Sequence, residues 1–159
     1  LHAFFNELVG SCGTHLYGRR MYETMAVWET DPSLPEHSPI MADFARLWQA
    51  ADKVVYSRTL KEVWTERTSL ERDFDVQAVR ELKARANQDV LVAGAELAAE
   101  AFRAGLVDEC GLTLLPWLIG GGKRGLPEGV RVPLELIDQR TFPGGVVYVR
   151  YSLQNSEGQ

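Results

Sequence analysis

Cysteine is nearly absent from this chain: Cys12 and Cys110 are the only two among 159 residues. At most one bridge could form, so a disulfide-stapled scaffold is excluded and a reducing compartment fits better. Histidine is as scarce. His2, His15 and His37 stand at no ligand spacing, so neither a zinc nor an iron centre is expected. No apolar run approaches the roughly 18–20 residues that cross a bilayer. No signal peptide is visible, and the expected location is the cytoplasm. Positive charge is in deficit too, with 17 Lys and Arg against 22 Asp and Glu, a net charge of −5. Nucleic acid and anionic membrane are therefore not expected partners, and any anion site must be assembled locally. Gly-x-Ser-x-Gly, Walker and paired-cysteine motifs are missing as well.

What is present suits one globular domain over residues 1–159. The length allows a single sizeable core, and the 45% hydrophobic and 25% charged residues are an ordinary balance for one. Leu1–Val9 places Phe4, Phe5, Leu8 and Val9 at helical spacing. A short strand is expected at Thr14–Tyr17, then a helix over Arg19–Glu29. Asp31–Pro39, with three prolines, reads as a loop. Ile40–Ala51 reads as a helix, Asp52–Tyr56 as a strand, and Glu62–Arg72 as one or two short strands around Val63-Trp64 and Ser69-Leu70-Glu71. Asp75 can cap a helix over Val76–Arg85. Glu109–Leu118 is a strand broken near Pro116, and Ile119–Gly129 a glycine-rich loop. Gly120-Gly121-Gly122-Lys123 in that loop suits an anion contact or a plain flexible connection. Leu134–Phe142 and Val146–Leu153 form a hairpin around Pro143-Gly144-Gly145. The four tryptophans read as core residues, and His15 as a core or pocket-lining side chain rather than a catalyst.

The stretch from Asp89 to Phe102 organises the rest. Val90-Leu91-Val92-Ala93 is a continuous apolar run, as in a parallel strand covered on both faces. Gly94 and Ala95 carry almost no side chain, and a helix begins at once and ends at Arg103-Ala104-Gly105. Such a turn aims unpaired backbone N–H groups and the positive end of a helix dipole outward, an arrangement that binds anions. A tight connection without any ligand is the competing reading, and the charge of Glu96 favours it. The alternation of strands and helices predicts an α/β fold: a three-layer αβα sandwich around a mixed, mostly parallel sheet, with a C-terminal antiparallel hairpin.

Three strand ends carry glycine or polar residues: Gly18-Arg19-Arg20, Ser57-Arg58-Thr59 and Gly94-Ala95-Glu96. Ligands of open α/β sheets bind at the carboxyl ends of strands. If these strands are parallel neighbours, Arg19, Arg20 and Arg58 with Ser57 and Thr59 can hold a phosphate such as the one on the ribose of NADP. Any one of these arginines alone would be a solvated loop residue; the coincidence of three turns favours a site.

The motifs also stand in a familiar order. Leu16-Tyr17-Gly18-Arg19-Arg20-Met21-Tyr22-Glu23, Lys53-Val54-Val55-Tyr56-Ser57-Arg58-Thr59-Leu60 and Val90-Leu91-Val92-Ala93-Gly94-Ala95-Glu96-Leu97 resemble three segments of dihydrofolate reductase-like proteins. Leu106-Val107-Asp108-Glu109, Leu115 to Lys123 and Gly145 to Tyr151 extend the resemblance over nearly the whole chain. Its subtype is similar to the reductase domain at the C-terminus of the bifunctional deaminase-reductases of riboflavin biosynthesis. The resemblance implies an NADPH-dependent reductase that passes hydride to a pyrimidine- or pterin-like small molecule, as the phosphoribosylamino-uracil reductases do. It implies cofactor binding by Gly18, Arg19, Arg20, Ser57, Arg58 and Thr59 on the adenosine phosphate side. Gly94, Ala95, Glu96 and Leu97 would then cover the pyrophosphate and nicotinamide side. It also implies a homodimer, for which the apolar final strands offer material. No catalytic residue can be assigned. Relatives begin with a further strand ending in a Ser-x-Asp-Gly-type segment that nothing here matches, and the first residue is leucine. Residues preceding Leu1 are therefore expected, or else that strand is lost. The rival expectation, from another class, is a non-catalytic nucleotide-binding or dimerisation module that retains the fold.

Overall fold

A computed structural model describes residues 1–154 of the chain. Four parallel strands form the first sheet: β1 (Cys12–Gly18), β2 (Asp52–Tyr56), β3 (Thr68–Glu71) and β4 (Asp89–Ala93), in the order β3-β2-β1-β4. Side-chain alternation along these strands divides the core in two. Tyr17 and Val55 point to one face and pack with Tyr22, Ala26, Trp48 and Leu60. Leu16 points to the other and packs with Val79, Leu97, Ala101, Leu106 and Val107, with Val54, Val90 and Val92 against them. Helices supply the outer partners. α1 (His2–Gly10), α2 (Arg19–Met25), α3 (Val27–Thr30) and α4 (Pro39–Ala50) precede the last two, α5 (Val76–Arg85) and α6 (Ala95–Arg103). The result is the expected α/β sandwich.

The remaining strands form a separate antiparallel sheet in the order β5-β7-β6: β5 (Glu109–Leu114), β6 (Leu134–Phe142) and β7 (Val146–Leu153). β6 and β7 make the expected hairpin, with Phe142 opposite Val146. Among the described residues no strand joins β4 to β5, so the strands form two hydrogen-bonded sets rather than one continuous sheet. α1 touches both halves. Asn6 Nδ2 donates to the Ile40 carbonyl of α4 at 2.9 Å. Phe4 meets Tyr148 edge-on at 4.7 Å between ring centroids and Phe142 at 5.4 Å.

Three local expectations are corrected. The helix read over Arg19–Glu29 breaks at Ala26 into α2 and α3, because Ala26 is buried against Trp48 and Tyr22 and the chain bends to follow that surface. Val63-Trp64 is not a strand. The Tyr22 hydroxyl accepts from the Trp64 and Thr65 amides at 2.9 and 3.2 Å, which binds this backbone to α2 instead of a sheet. Only Thr68–Glu71 pairs, parallel to β2. The strand read over Glu109–Leu118 stops at Leu114, ahead of Pro116, since proline has no N–H for a ladder.

Capping follows the sequence where it was legible. Asp75 accepts from the Gln77 and Ala78 amides and starts α5, and Ser38 accepts from the Met41 amide and starts α4. At the other end of α4 the buried Lys53 donates to the Trp48 and Ala51 carbonyls at 3.1 and 2.7 Å. Its ammonium also lies 4.4 Å from the centre of the Trp48 ring, so a lysine inside a strand closes a helix. Both cysteines are free.

Candidate functional site

Register decides which loops meet. Gly18 pairs with Tyr56, the last residue of β2, and Tyr17 pairs with Ala93, the last residue of β4. The carboxyl ends of three parallel neighbours therefore coincide. Gly18–Arg20, Ser57–Thr59 and Gly94–Leu97 gather along one edge, where open α/β sheets bind ligands.

Gly94 is the tightest point of that edge. Its backbone sits at φ 105° and ψ 126°, a conformation open to glycine and strained for residues with a Cβ. A Cβ there would make only ordinary contacts, 3.6 Å from the Met21 Cβ and 3.9 Å from the Gly18 amide nitrogen. The demand for glycine is thus set by conformation rather than by crowding from the protein. α6 begins directly after it with no side-chain cap. Its first-turn N–H groups lack partners within the helix, in contrast to the capped starts of α4 and α5.

The predicted residues fall into distinct environments. Arg19 is exposed and fixed, its Nε donating to Glu23 at 2.8 Å and its Nη1 to the Thr59 hydroxyl at 3.0 Å. That bond ties the β1 turn to the β2 turn. Arg20 is exposed at the same edge, near enough for its charge to act on Glu96. Arg58 turns outward and makes a two-pronged contact with Asp73. Ser57 is buried, and its hydroxyl accepts from the Thr59 and Leu60 amides at 3.2 and 3.0 Å, so it shapes the turn. Leu97 places its side chain in the core, which leaves its backbone for the edge. Ala95 and Glu96 form the first turn of α6. A hydrogen bond from Lys123, and then its charge, hold the Glu96 carboxyl below the usual carboxylate range. The glycine-rich loop thus reaches the edge through Lys123. Beside this pair a groove of about 510 Å³ runs along α6, bordered by Ala99, Arg103, Arg124 and Leu126.

Two contacts that shape the edge were not found from the sequence. Arg72, directly after β3, donates to the Ser57 carbonyl at 3.0 Å and also to the Leu60 carbonyl, clamping the 57–60 turn. Tyr22, fully buried, holds the loop at Trp64 and Thr65 and meets the Trp64 ring at 4.8 Å. Neither contact follows a sequence spacing that could announce it. A second groove, of about 690 Å³, lies among Asp52, Arg67, Arg85 and Gln88 and holds none of the predicted site residues. His15 lies inside the sheet, with Nδ1 2.9 Å from the Tyr17 hydroxyl, which also accepts from Trp48 Nε1 at 3.0 Å. It is a core side chain. Among the described residues no group of three His, Cys, Asp or Glu is placed to hold a metal ion, and no helix is long and apolar enough to cross a membrane.

An α/β sandwich that gathers its loops at the carboxyl ends of three parallel strands presents them where open α/β sheets bind ligands. Residues 1–148 match the RibD C-terminal domain, and the chain belongs to that family. Uncharacterized protein YyaP of Bacillus subtilis is 29% identical over 149 residues, covering 92% of this chain and 77% of that protein. A solved protein of Shewanella sp. PV-4 assigned to riboflavin biosynthesis superposes with a TM-score of 0.72 at 18% identity, covering 95% of this chain and 79% of that one. A pyrimidine reductase-like protein of Corynebacterium diphtheriae gives 0.63 at 10% identity, with 97% and 81% covered. These two likenesses are of fold.

Proposed function

We propose that this chain is an NADPH-dependent reductase that transfers hydride to a pyrimidine- or pterin-like C=N or C=O group. The observation that carries the reading is the convergence at one sheet edge of Gly94, the uncapped start of α6 and the guanidinium groups of Arg19 and Arg20. The residues fit a dinucleotide in chemical terms. Backbone N–H groups at a helix start suit a pyrophosphate, and the glycine turn lets another molecule approach the backbone closely. Arginine forks suit a further phosphate. Arg58 reaches such a phosphate only by giving up Asp73. Lys123 neutralises Glu96, which removes the objection that a carboxylate would repel an anion there.

NADPH, when bound, supplies the hydride. The work of this chain is positional. Arg72 and Ser57 fix the 57–60 turn, Arg19 bridges two of the three turns through Thr59, and Tyr22 fixes the loop beyond them. Membership of the RibD C-terminal domain family and the pyrimidine reductase-like neighbour support the reaction class. The second reading, a nucleotide-binding module without catalysis, is favoured by the two unjoined sheets. The test is oxidation of NADPH, followed by absorbance, with a phosphoribosylamino-pyrimidine as acceptor. Turnover supports the reductase. Tight NADPH binding without turnover of any pyrimidine or pterin supports the module.

A further inference from the structure

Residues 115–133 cross from β5 to β6 without helix or strand. A connection longer than about 12–15 residues inside a domain is uncommon and usually carries function. Trp117 lies on it with 78% of its surface exposed, which corrects the expectation of a core residue. Among the described residues, one ion pair joins the side chains of this strap to the rest of the chain. Lys123 Nζ donates to Glu96 Oε1 at 2.5 Å. Gly120 and Gly122 precede Lys123 at φ 74° and 137°, and Gly129 follows it at φ 74°. The segment between them can therefore swing where residues with a Cβ would resist.

Glu96 stands in the first turn of α6, just after Gly94, at the edge where the three strand ends meet. The groove beside it holds two further cations, and each has a carboxylate of its own: Arg103 has Glu100 at 4.0 Å, and Arg124 has Glu128. Of the three, Lys123 is the one whose partner sits beside the Gly94 turn. Its pair is open to water, with the side chains 52% exposed at Lys123 and 83% at Glu96, and an exposed ion pair holds weakly. Glu96 takes one of the three ammonium donors. The others, on a flexible four-carbon stem, can meet a second acceptor. A pyrophosphate offers more charge and more acceptor oxygens than a single carboxylate, so it prevails in the competition for that ammonium.

Taking the cofactor site at the three strand ends as read, we infer that Lys123 is its mobile anion-binding residue. Held on Glu96 in the free chain, it passes to the pyrophosphate of the dinucleotide and draws the 120–129 segment over the Gly94 turn. Glu96 is then the competitor for the same ammonium. The two partners of this ion pair act on affinity in opposite directions, which the partners of a purely structural pair do not.

The test is calorimetric titration of the full chain, Lys123→Met and Glu96→Gln with NADPH, NADH and inorganic pyrophosphate. Both side chains are more than half exposed, so both variants should melt as the parent does. Lys123→Met is expected to weaken all three ligands by about tenfold or more, the range of a lost charge-assisted hydrogen bond. The factor should be the same for NADPH and NADH, since both carry the pyrophosphate. Glu96→Gln should tighten all three. Trypsin cleavage after Arg124 should slow when pyrophosphate is added to the parent, and not in Lys123→Met. A parent that binds NADPH while Lys123→Met binds it equally well overturns the inference alone, as do two variants that shift affinity in the same direction. Pyrophosphate binding with the expected pattern, but without either dinucleotide, supports the role of Lys123 and overturns the cofactor reading. A parent that binds none of the three overturns both.

Discussion

The Gly18 amide nitrogen lies 3.9 Å from the point where a Cβ on Gly94 would stand. Two glycines from neighbouring parallel strands thus face each other across the site edge, and their needs differ. Gly94 holds a positive φ, whereas Gly18 has φ −74° with open space where its Cβ would be.

We predict that Gly94→Val loses stability by about 1–3 kcal/mol from backbone strain and loses NADPH binding with it. Gly18→Ala should melt within about 0.5 kcal/mol of the parent. Any loss of NADPH affinity in Gly18→Ala then reports a ligand against that backbone. Thermal melts and cofactor titrations of both variants separate the two effects. A Gly94→Val protein that melts and binds like the parent would reduce the turn to a connection.

The arginines should divide by their present partners. Arg19 is held at the edge by Glu23 and Thr59, whereas Arg58 is engaged with Asp73 and largely exposed. Arg19→Ala is expected to weaken NADPH binding by about 1.5–3 kcal/mol, the value of a hydrogen bond to a charged group, and to leave NADH binding nearly unchanged. Arg58→Ala should do less. Titration of both cofactors into each variant decides the order, and a larger effect at Arg58 would reverse the assignment.

Much of this edge was legible in the sequence because the signals were local. A continuous apolar strand, a glycine at its end and a helix start occupy ten residues around Gly94, and the Asp75 cap and the hairpin at Gly144-Gly145 are equally short-range. The contacts of Arg72, Lys53 and Tyr22 were not legible. Each acts on backbone groups brought near only by folding: turn carbonyls for Arg72, helix-end carbonyls for Lys53, loop amides for Tyr22. The exposure of Trp117 was hidden for the same reason. Composition marks tryptophan as a core residue, and only the position of β5 at the margin of its sheet puts that loop outside.

Tyr22→Phe tests one of these concealed contacts. The hydroxyl serves two amides and the Thr65 hydroxyl, the last at 3.0 Å, and all sit in or near the core. Leaving them unpaired should cost about 1–3 kcal/mol. Hydrogen exchange at the Trp64 and Thr65 amides should accelerate more than at β1. Unchanged exchange there would show that Tyr22 does not hold the loop.

His15 should give stability a pH dependence of its own. Burial, and then the Lys53 charge, push its pKa from 6.5 down to about 4. The folded chain therefore disfavours the protonated ring. Stability is whole above pH 6.5, where both states are neutral, and falls as pH drops from 6.5 toward 4, by up to about 3 kcal/mol. Asp43, held low by its hydrogen bond from Arg46, adds loss only below the ordinary carboxylate range. Denaturant unfolding between pH 7.5 and 4.5 should show the slope, and His15→Gln should flatten it. An equal slope in the variant would place the proton uptake elsewhere.

The central claim is that three strand ends form one dinucleotide site with a preference for the extra phosphate. The most direct measurement is a binding titration of the unmodified chain with NADPH and, separately, with NADH. Tighter binding of NADPH is the predicted result. Equal affinity for the two, or no binding of either, would contradict it.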